Sequence, residues 1–175
     1  MLTATINALE GRFVAVVDIP RVYLSADMDD EVHVVFRRSL AEMMVAADPA
    51  LYRPFVSYET VKAVLYFRLH KALYGYLKSA LLFYKKLVGD VEAYGFRINT
   101  YNPCVANNMI GGKQLTLFWH VDDLKISCVD AKDLTKMIQW LESEYGEMHG
   151  SCGKRLNYLG VWLDYSIPKE VRVSI

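Results

Sequence analysis

QLTLFWHVDDLKISC, at residues 114–128, contains two apolar segments separated by an acidic pair. Residues 114–121 and 124–129 are short and rich in aromatic and β-branched side chains, which is typical of β-strands. Asp122 and Asp123 fall in the tight turn between them. The pattern therefore predicts a hairpin that holds two carboxylates at the edge of a sheet.

Another carboxylate follows an apolar strand near the start of the chain. Residues 13–17 read FVAVV, Asp18 comes next, and Pro20 ends the pattern. Because neighbouring strands can bring distant residues together, we expect Asp18 to lie near Asp122 and Asp123. Such a cluster of oxygen atoms suits Mg²⁺, and paired ions of this kind can activate a hydroxyl and stabilise a leaving oxygen in phosphoryl transfer. Taken alone, however, an Asp-Asp pair is more typical of an ordinary turn than of a metal site.

The remaining periodicity predicts a mixed α+β fold. Apolar residues recur at helical spacing over residues 77–94 and the pattern ends at Gly95, while Asp130 is a suitable N-cap for a helix over residues 131–145. The other predicted elements are a helix at 39–47, strands at 31–37, 64–69 and 104–110, a Gly-Gly turn at 111–112, and a closing hairpin made of 156–164 and 171–175. This order favours an antiparallel sheet that carries its helices on one face.

Composition excludes several classes of protein. The chain has 175 residues, of which 53% are hydrophobic and 23% charged, so it is long and apolar enough for one compact domain. Its 20 basic and 20 acidic residues cancel, which excludes a globally basic nucleic-acid binder. No apolar run approaches the length of a membrane span, and the start lacks the pattern of a signal peptide.

The charges are nevertheless unevenly distributed. Residues 18–31 contain five acids and one base, whereas residues 62–113 contain eight bases and two acids. These segments are either two ordinary solvated faces or an acidic metal pocket beside a surface that faces phosphate.

The cysteines and histidines do not form a recognisable metal motif. The cysteines are odd in number and none forms a CxxC, so reduced thiols in a cytosolic or nuclear protein are expected for Cys104, Cys128 and Cys152. No HxxxH spacing occurs among the histidines, so zinc is not expected at His33, His70, His120 or His149.

Four segments in this order resemble the reverse transcriptase of copia-type LTR retrotransposons: FVAVVDIPRVYL, ALYGYLKSALLFYKKL, LFWHVDDLKIS and LNYLGVWLDY. The resemblance covers about residues 11–175. It implies a polymerase palm with an antiparallel, ferredoxin-like sheet and partial fingers, and an RNA-directed DNA polymerase that adds dNTPs to a primer 3′-hydroxyl. The N-terminal fingers, the C-terminal thumb and ribonuclease H are expected outside this chain, in the rest of a polyprotein.

The resemblance also implies a catalytic site. Asp18 matches the first catalytic aspartate, and Asp122 and Asp123 match the acidic pair, with His120 in the place of the family's usual tyrosine. The same three aspartates and the backbone carbonyl of Ile19 would be the metal ligands. The implied cofactor is Mg²⁺, with Mn²⁺ as a possible substitute.

The implied dNTP-binding residues lie in the first two segments. Tyr23 falls where the family keeps an aromatic ring beneath the sugar, and Tyr74 and Gly75 belong to the matching LYG segment. Arg21 and Val22 replace residues that are commonly small where the backbone approaches the triphosphate. Their bulk would obstruct the triphosphate, unless Arg21 pairs with a phosphate instead.

The implied contacts with an RNA template and DNA primer come from the later segments. Lys78, Lys85 and Lys86 are expected to face the RNA–DNA hybrid, although lysines on a helix can simply be solvated. The hairpin expected at Tyr158, Leu159 and Gly160 either grips the primer end or is a plain β-hairpin without this role. Lys154 lies near where the family places a basic residue close to the leaving pyrophosphate, although this stretch is also typical of a solvated loop.

Two other interpretations stay open. One is a catalytically inactive, retroelement-derived remnant that at most binds nucleic acid. The other is an unrelated ferredoxin-like domain whose acidic turn has no role. The expected location is the cytoplasm, in a virus-like particle, or the nucleus, with no membrane partner and no secretion.

Overall fold

The computed structural model describes residues 2–59 and 62–175. These residues form a mixed α+β structure with antiparallel sheets and five α-helices. The helices are α1 (Leu2–Leu9), α2 (Ser39–Ala47), α3 (Pro49–Tyr52), α4 (Ser79–Ala93) and α5 (Ala131–Tyr145). None of the described helices is long and apolar enough to cross a membrane.

The strands form three separate sheets. They are β1 (Phe13–Asp18), β2 (His33–Arg37), β3 (Ser57–Glu59), β4 (Lys62–Arg68), β5 (Arg97–Ile98), β6 (Val105–Ile110), β7 (Lys113–His120), β8 (Asp123–Cys128), β9 (His149–Cys152), β10 (Arg155–Tyr158), β11 (Val161–Asp164) and β12 (Arg172–Ser174). The central sheet has the order β5-β6-β7-β8-β1-β9, and the two small sheets have the orders β2-β4-β3 and β10-β11-β12.

Strand β1 is apolar from Phe13 to Val17, and its residues 14–17 are buried because both faces of the strand are covered there. Ala15 and Val17 point into the main core, where α4 and α5 pack against the central sheet. Val14 and Val16 point the opposite way, into a smaller core shared with α1 and the sheet β10-β11-β12. Side chains that alternate along a strand thus serve two apolar layers, which fixes β1 in the middle of the molecule.

Several predicted elements are confirmed. The hairpin β6–β7 turns at Gly111 and Gly112, as predicted. Strand β8 follows the acidic turn, but it begins at Asp123, so only Asp122 of the predicted acidic pair lies in the turn. Helix α5 has the predicted bounds, and the side chain of Asp130 accepts a hydrogen bond of 2.9 Å from the backbone N–H of Lys132. Helix α2 also has the predicted bounds.

Two details of the predicted outline are wrong. Residues 156–164 form the hairpin β10–β11 instead of a single strand, because Leu159 and Gly160 adopt φ angles of 53° and 78° and reverse the chain. The helices are also not confined to one face of the sheet. Helix α1 lies on the face opposite α4 and α5, where Ala4 packs in the smaller core.

Strand β9 was not predicted from the sequence. It contains no β-branched residue, and its pairing with β1 depends on Gly150, which lies opposite Val17. A Cβ atom at Gly150 would overlap the carbonyl oxygen of Val16 and lie 2.8 Å from the Cα of Val17. The strand therefore approaches β1 more closely than any residue with a side chain would allow.

Candidate active site

The pairing of β1 with β8 brings the three predicted catalytic carboxylates to one edge of the central sheet. Asp18, the last residue of β1, lies directly opposite Asp123, the first residue of β8. The backbone N–H of Ile19 donates a hydrogen bond of 3.0 Å to the carbonyl of Asp122. Residues more than 100 positions apart in the chain thus meet at the same place, as the sequence predicts.

The three carboxylates are close enough to influence one another. Partial burial raises the pKa of Asp18, and the negative charges of Asp122 and Asp123 raise this pKa further. Burial also raises the pKa of Asp123, and the charge of Asp122 adds to this effect. Mutual repulsion of this kind is relieved when a cation binds between the groups.

Two histidines flank the carboxylates. His149, in β9, lies opposite Asp18, and the imidazole opposes the rise in the pKa of that carboxyl. His120 lies opposite Asp123 and has the same effect on it. The position of His149 could not be predicted, because strand β9 carries no sequence signal for a strand.

The donor chemistry of this edge fits Mg²⁺, which prefers carboxylate and carbonyl oxygens. Within residues 2–59 and 62–175, no group of three or more Asp, Glu, His or Cys side chains is arranged closely enough to hold a metal ion. The backbone already places Asp18 and Asp123 opposite each other, with Asp122 beside them. Coordination of a shared ion therefore requires these side chains to turn toward one another, which like charges resist until a cation is bound.

The turn that carries Asp122 is strained. Val121 has a φ angle of 55°, which is unfavourable for a β-branched residue. Hairpins normally give such a position to glycine, and a residue of this kind costs on the order of 1–3 kcal/mol. The pairing of His120 with Asp123 and the hydrogen bond from Ile19 hold the turn in place.

A pair of tyrosines lies beside the carboxylates. The rings of Tyr23 and Tyr74 contact each other edge to face, with centroids 4.6 Å apart. Burial raises the pKa of Tyr74, and the charges of Asp122 and Asp18 raise it further, whereas a hydrogen bond with the backbone of Val22 acts in the opposite direction. Two of the predicted dNTP-binding residues thus lie next to the predicted metal ligands.

The other predicted dNTP-binding residues, Arg21, Val22 and Gly75, differ in exposure and in backbone conformation. Arg21 is exposed and adopts a left-handed conformation with a φ angle of 52°. Val22 is fully buried, backbone included, so it does not face a ligand in this structure. Gly75 has a φ angle of 87°, so this position requires glycine for its backbone conformation.

Two of the three lysines that were predicted to face the RNA–DNA hybrid form ion pairs with acidic residues. Lys78 forms an ion pair with Asp30, and Lys86 forms one with Asp90 at 2.7 Å. Lys85 is exposed. The acidic and basic segments of the sequence therefore neutralise each other at two points among the described residues: Lys78 with Asp30, and Lys71 with Asp27 at 2.7 Å.

Tyr158, predicted at the primer end, lies beneath the site. Its side chain is buried, and its hydroxyl donates a hydrogen bond of 3.3 Å to the backbone carbonyl of Asp123. Its ring contacts Phe118 edge to face, with centroids 5.7 Å apart. Leu159 and Gly160 form the exposed tip of this hairpin. Only the tip is therefore available to a primer.

The expectation for Lys154 is wrong. The backbone N–H of Gly153 donates to the carbonyl of Val14, so Lys154 lies near the start of β1. Asp18 is at the other end of this strand, about 13 Å away for four residues of extended chain. Lys154 is thus too far from the carboxylates to reach a leaving group bound there.

A buried lysine near the site was not predicted. Lys125 is 5% exposed, and burial lowers its pKa to about 8. Its ammonium donates to the hydroxyl of Thr3 at 2.7 Å and lies 5.6 Å from the ring centre of Phe118 and 5.7 Å from that of Tyr158. The only sequence signal for this buried lysine is its place inside the otherwise apolar segment LKISC, residues 124–128.

Comparison with known proteins does not add a relative to this picture. No model of a known protein family matches the chain, and no curated protein matches it.

Proposed function

We propose that this chain is the palm and part of the fingers of an RNA-directed DNA polymerase, similar to the reverse transcriptases of copia-type retrotransposons. The observation that carries the proposal is the pairing of Asp18 with Asp123 across β1 and β8, with Asp122 beside them. This edge concentrates negative charge at the end of a rigid sheet, where the positions of the groups are set by backbone pairing.

The chemistry follows from the residues at this edge. Asp18, Asp122 and the carbonyl of Ile19 would hold Mg²⁺ or Mn²⁺ with support from Asp123, and the ions would supply Lewis-acid activation of the primer hydroxyl and stabilise charge on the leaving pyrophosphate. The protein itself contributes position: the hydrogen bond from Ile19 to Asp122 keeps the two acidic strand ends in register. Such positioning is the main protein contribution to phosphoryl transfer.

The tyrosine pair supports a nucleotide subsite beside the carboxylates. Tyr23 packs against Tyr74, so its ring is held in one orientation instead of turning freely. In the proposed role this ring lies beneath the sugar of the incoming dNTP and leaves no room for a 2′-hydroxyl. Arg21 is exposed, which suits contact with a phosphate.

The proposed nucleic-acid partner is an RNA–DNA hybrid, held through its backbone and shape. The exposed Lys85 on α4 is the best placed of the three lysines for a phosphate contact, since Lys78 and Lys86 form ion pairs with acids. The exposed tip at Leu159 and Gly160 is the proposed primer contact. The domain would act within a polyprotein, in a cytoplasmic particle or in the nucleus.

Primer extension tests the proposal. The protein should extend an oligo-dT primer on poly-rA with Mg²⁺ or Mn²⁺, and Asp122→Asn should abolish extension. Asp133→Asn on α5 is the matched control, because its only ion pair is with the surface residue Lys136 among the described residues, and it should leave extension unchanged. Hybrid binding without extension in either metal would indicate the inactive remnant instead, and extension that survives Asp122→Asn would exclude the assigned site.

A further inference from the structure

A row of four side chains crosses the end of the central sheet. His149, Asp18, Asp123 and His120 lie directly opposite one another in the neighbouring strands β9, β1, β8 and β7. Residues paired in this way project from the same face of a sheet, with Cβ atoms about 4.5–5.5 Å apart. The two carboxylates in the middle of the row are therefore flanked by imidazoles.

His149 is the better placed of the two imidazoles. Asp18 has a neighbour on each side, His149 and Asp123. The carbonyl of Asp122 is hydrogen bonded to the residue that follows Asp18. The proposed metal ligands thus surround Asp18, and the charge of His149 already acts on this carboxyl. His120, in contrast, lies opposite Asp123 alone.

The position of His149 is fixed by the residue after it. Gly150 lies opposite Val17, where a Cβ atom would overlap the carbonyl oxygen of Val16. If β9 shifted by one residue along β1, His149 or Ser151 would face Val17, and its Cβ atom would meet the same obstacle. The backbone of His149 therefore stays beside Asp18, while its exposed side chain can turn toward the carboxylate.

An imidazole nitrogen changes which cation a group of carboxylates prefers. Mg²⁺ takes oxygen ligands and gives up its water reluctantly. First-row transition metals also accept imidazole nitrogen, and among them Mn²⁺ is the ion that also suits carboxylate, carbonyl and water oxygens. A site with several oxygen donors and one imidazole thus favours Mn²⁺.

We propose that His149 is a ligand of the ion held by Asp18, and that its nitrogen makes the site select Mn²⁺ over Mg²⁺. This inference rests on the proposed metal site, to which it adds a ligand and a choice of metal. Within residues 2–59 and 62–175 no ready-made group of ligands is present, so the imidazole must turn toward the ion together with the carboxylates.

Pulsed EPR of bound Mn²⁺ tests the ligand, because a coordinated ¹⁴N nucleus modulates the electron spin echo. The unmodified protein with substoichiometric Mn²⁺ should show this modulation. His149→Gln should lose it while Mn²⁺ stays bound through the carboxylates. His70→Gln, at an exposed position outside the row, is the matched control and should keep it. Bound Mn²⁺ without nitrogen modulation, or modulation that survives in His149→Gln, would overturn the proposal.

Competition between the two metals tests the selectivity. The ratio of the Mg²⁺ Kd to the Mn²⁺ Kd should fall at least about tenfold in His149→Gln, a loss of affinity that follows even when a group that only supports a ligand is removed. The amide oxygen of glutamine suits Mg²⁺, so Mg²⁺ binding should persist. An unchanged ratio in His149→Gln would refute the inference.

Asp18→Asn separates this inference from the proposed function. Binding of Mn²⁺ that depends on Asp18 but not on His149 would refute only the added ligand and leave the proposed metal site intact. Binding that Asp18→Asn leaves unchanged, or no binding of Mn²⁺ at all, would overturn both. Each result is read from bound metal, independently of primer extension.

Discussion

The hydroxyl of Tyr158 supports the backbone of Asp123 from below the sheet, through a hydrogen bond of 3.3 Å to its carbonyl. Tyr158 belongs to the sheet β10-β11-β12, so this contact ties a separate sheet to the strand that begins with the candidate metal ligand. The same ring packs on Phe118 in β7. The candidate site is thereby braced from the face opposite α4 and α5.

Removal of the Tyr158 hydroxyl tests this brace. Tyr158→Phe keeps the ring contact with Phe118 but loses the hydrogen bond, so the free energy of unfolding should fall by about 0.5–1.5 kcal/mol. Urea denaturation measures the change. Tyr101→Phe is the control, because Tyr101 is 97% exposed, and it should leave the midpoint unchanged. An equal loss of stability in both variants would mean that the Asp123 contact contributes nothing specific.

The raised pKa values of Asp18 and Asp123 predict how stability depends on pH. A carboxyl whose folded-state pKa lies above the unfolded value binds its proton more tightly in the folded protein, so stability falls as pH rises from the unfolded pKa through the folded one. Asp18→Asn should therefore raise the melting temperature at pH 7 and have a smaller effect near pH 3. Asp133→Asn is the control. A lower melting temperature for Asp18→Asn at pH 7 would contradict the inference that Asp18 is repelled by the neighbouring carboxylates Asp122 and Asp123.

Divalent cations should relieve the same repulsion. At a concentration ten times its Kd, Mn²⁺ should stabilise the unmodified protein by about 1.4 kcal/mol. The gain should be much smaller in Asp18→Asn, because one of the carboxylates that would hold the ion is gone. Thermal melts with and without Mn²⁺ measure the difference, and NaCl at equal ionic strength separates specific binding from screening. Equal gains in the two proteins would show that the ion binds elsewhere.

The parts of the fold that sequence predicts well are those in which local and tertiary preferences agree. Strand β1 and helix α5 combine apolar periodicity with a clear boundary residue. Asp18 ends β1, and Asp130 caps the start of α5. Strand β9 has no such agreement, because its residues favour a loop and only the close approach of Gly150 to β1 makes it a strand. The meeting of Asp18 with Asp123 was predictable because Asp18 follows one apolar segment, residues 13–17, and the acidic pair follows another, residues 114–121. His149 was not predictable, because it lies in β9.

The role of Gly150 can be measured by substitution. Gly150→Ala places a Cβ atom against the backbone of Val16 and Val17, so β9 must move away from β1, and the free energy of unfolding should fall by about 1–3 kcal/mol. Gly89→Ala is the matched control: it lies within α4, and no described atom lies within 4 Å of its added methyl group. That variant should gain roughly 0.5–1 kcal/mol from helix propensity. Similar changes in both proteins would contradict the tight pairing of β9.

Lys125 offers the clearest single test of the electrostatics beneath the site. Burial lowers its pKa to about 8, so the folded protein binds this proton less tightly than the unfolded chain, and stability falls as pH decreases from about 10.5 through 8. Lys125→Met removes this penalty and should raise the free energy of unfolding at pH 7 by at most about 3 kcal/mol, reduced by the lost hydrogen bond to Thr3. The gain should shrink as the pH rises from 8 through 10.5, since the lysine is neutral in both states only above about pH 10.5. Lys132→Met at the surface is the control, and a gain for Lys125→Met that does not change between pH 7 and pH 10.5 would show that packing, not buried charge, is responsible.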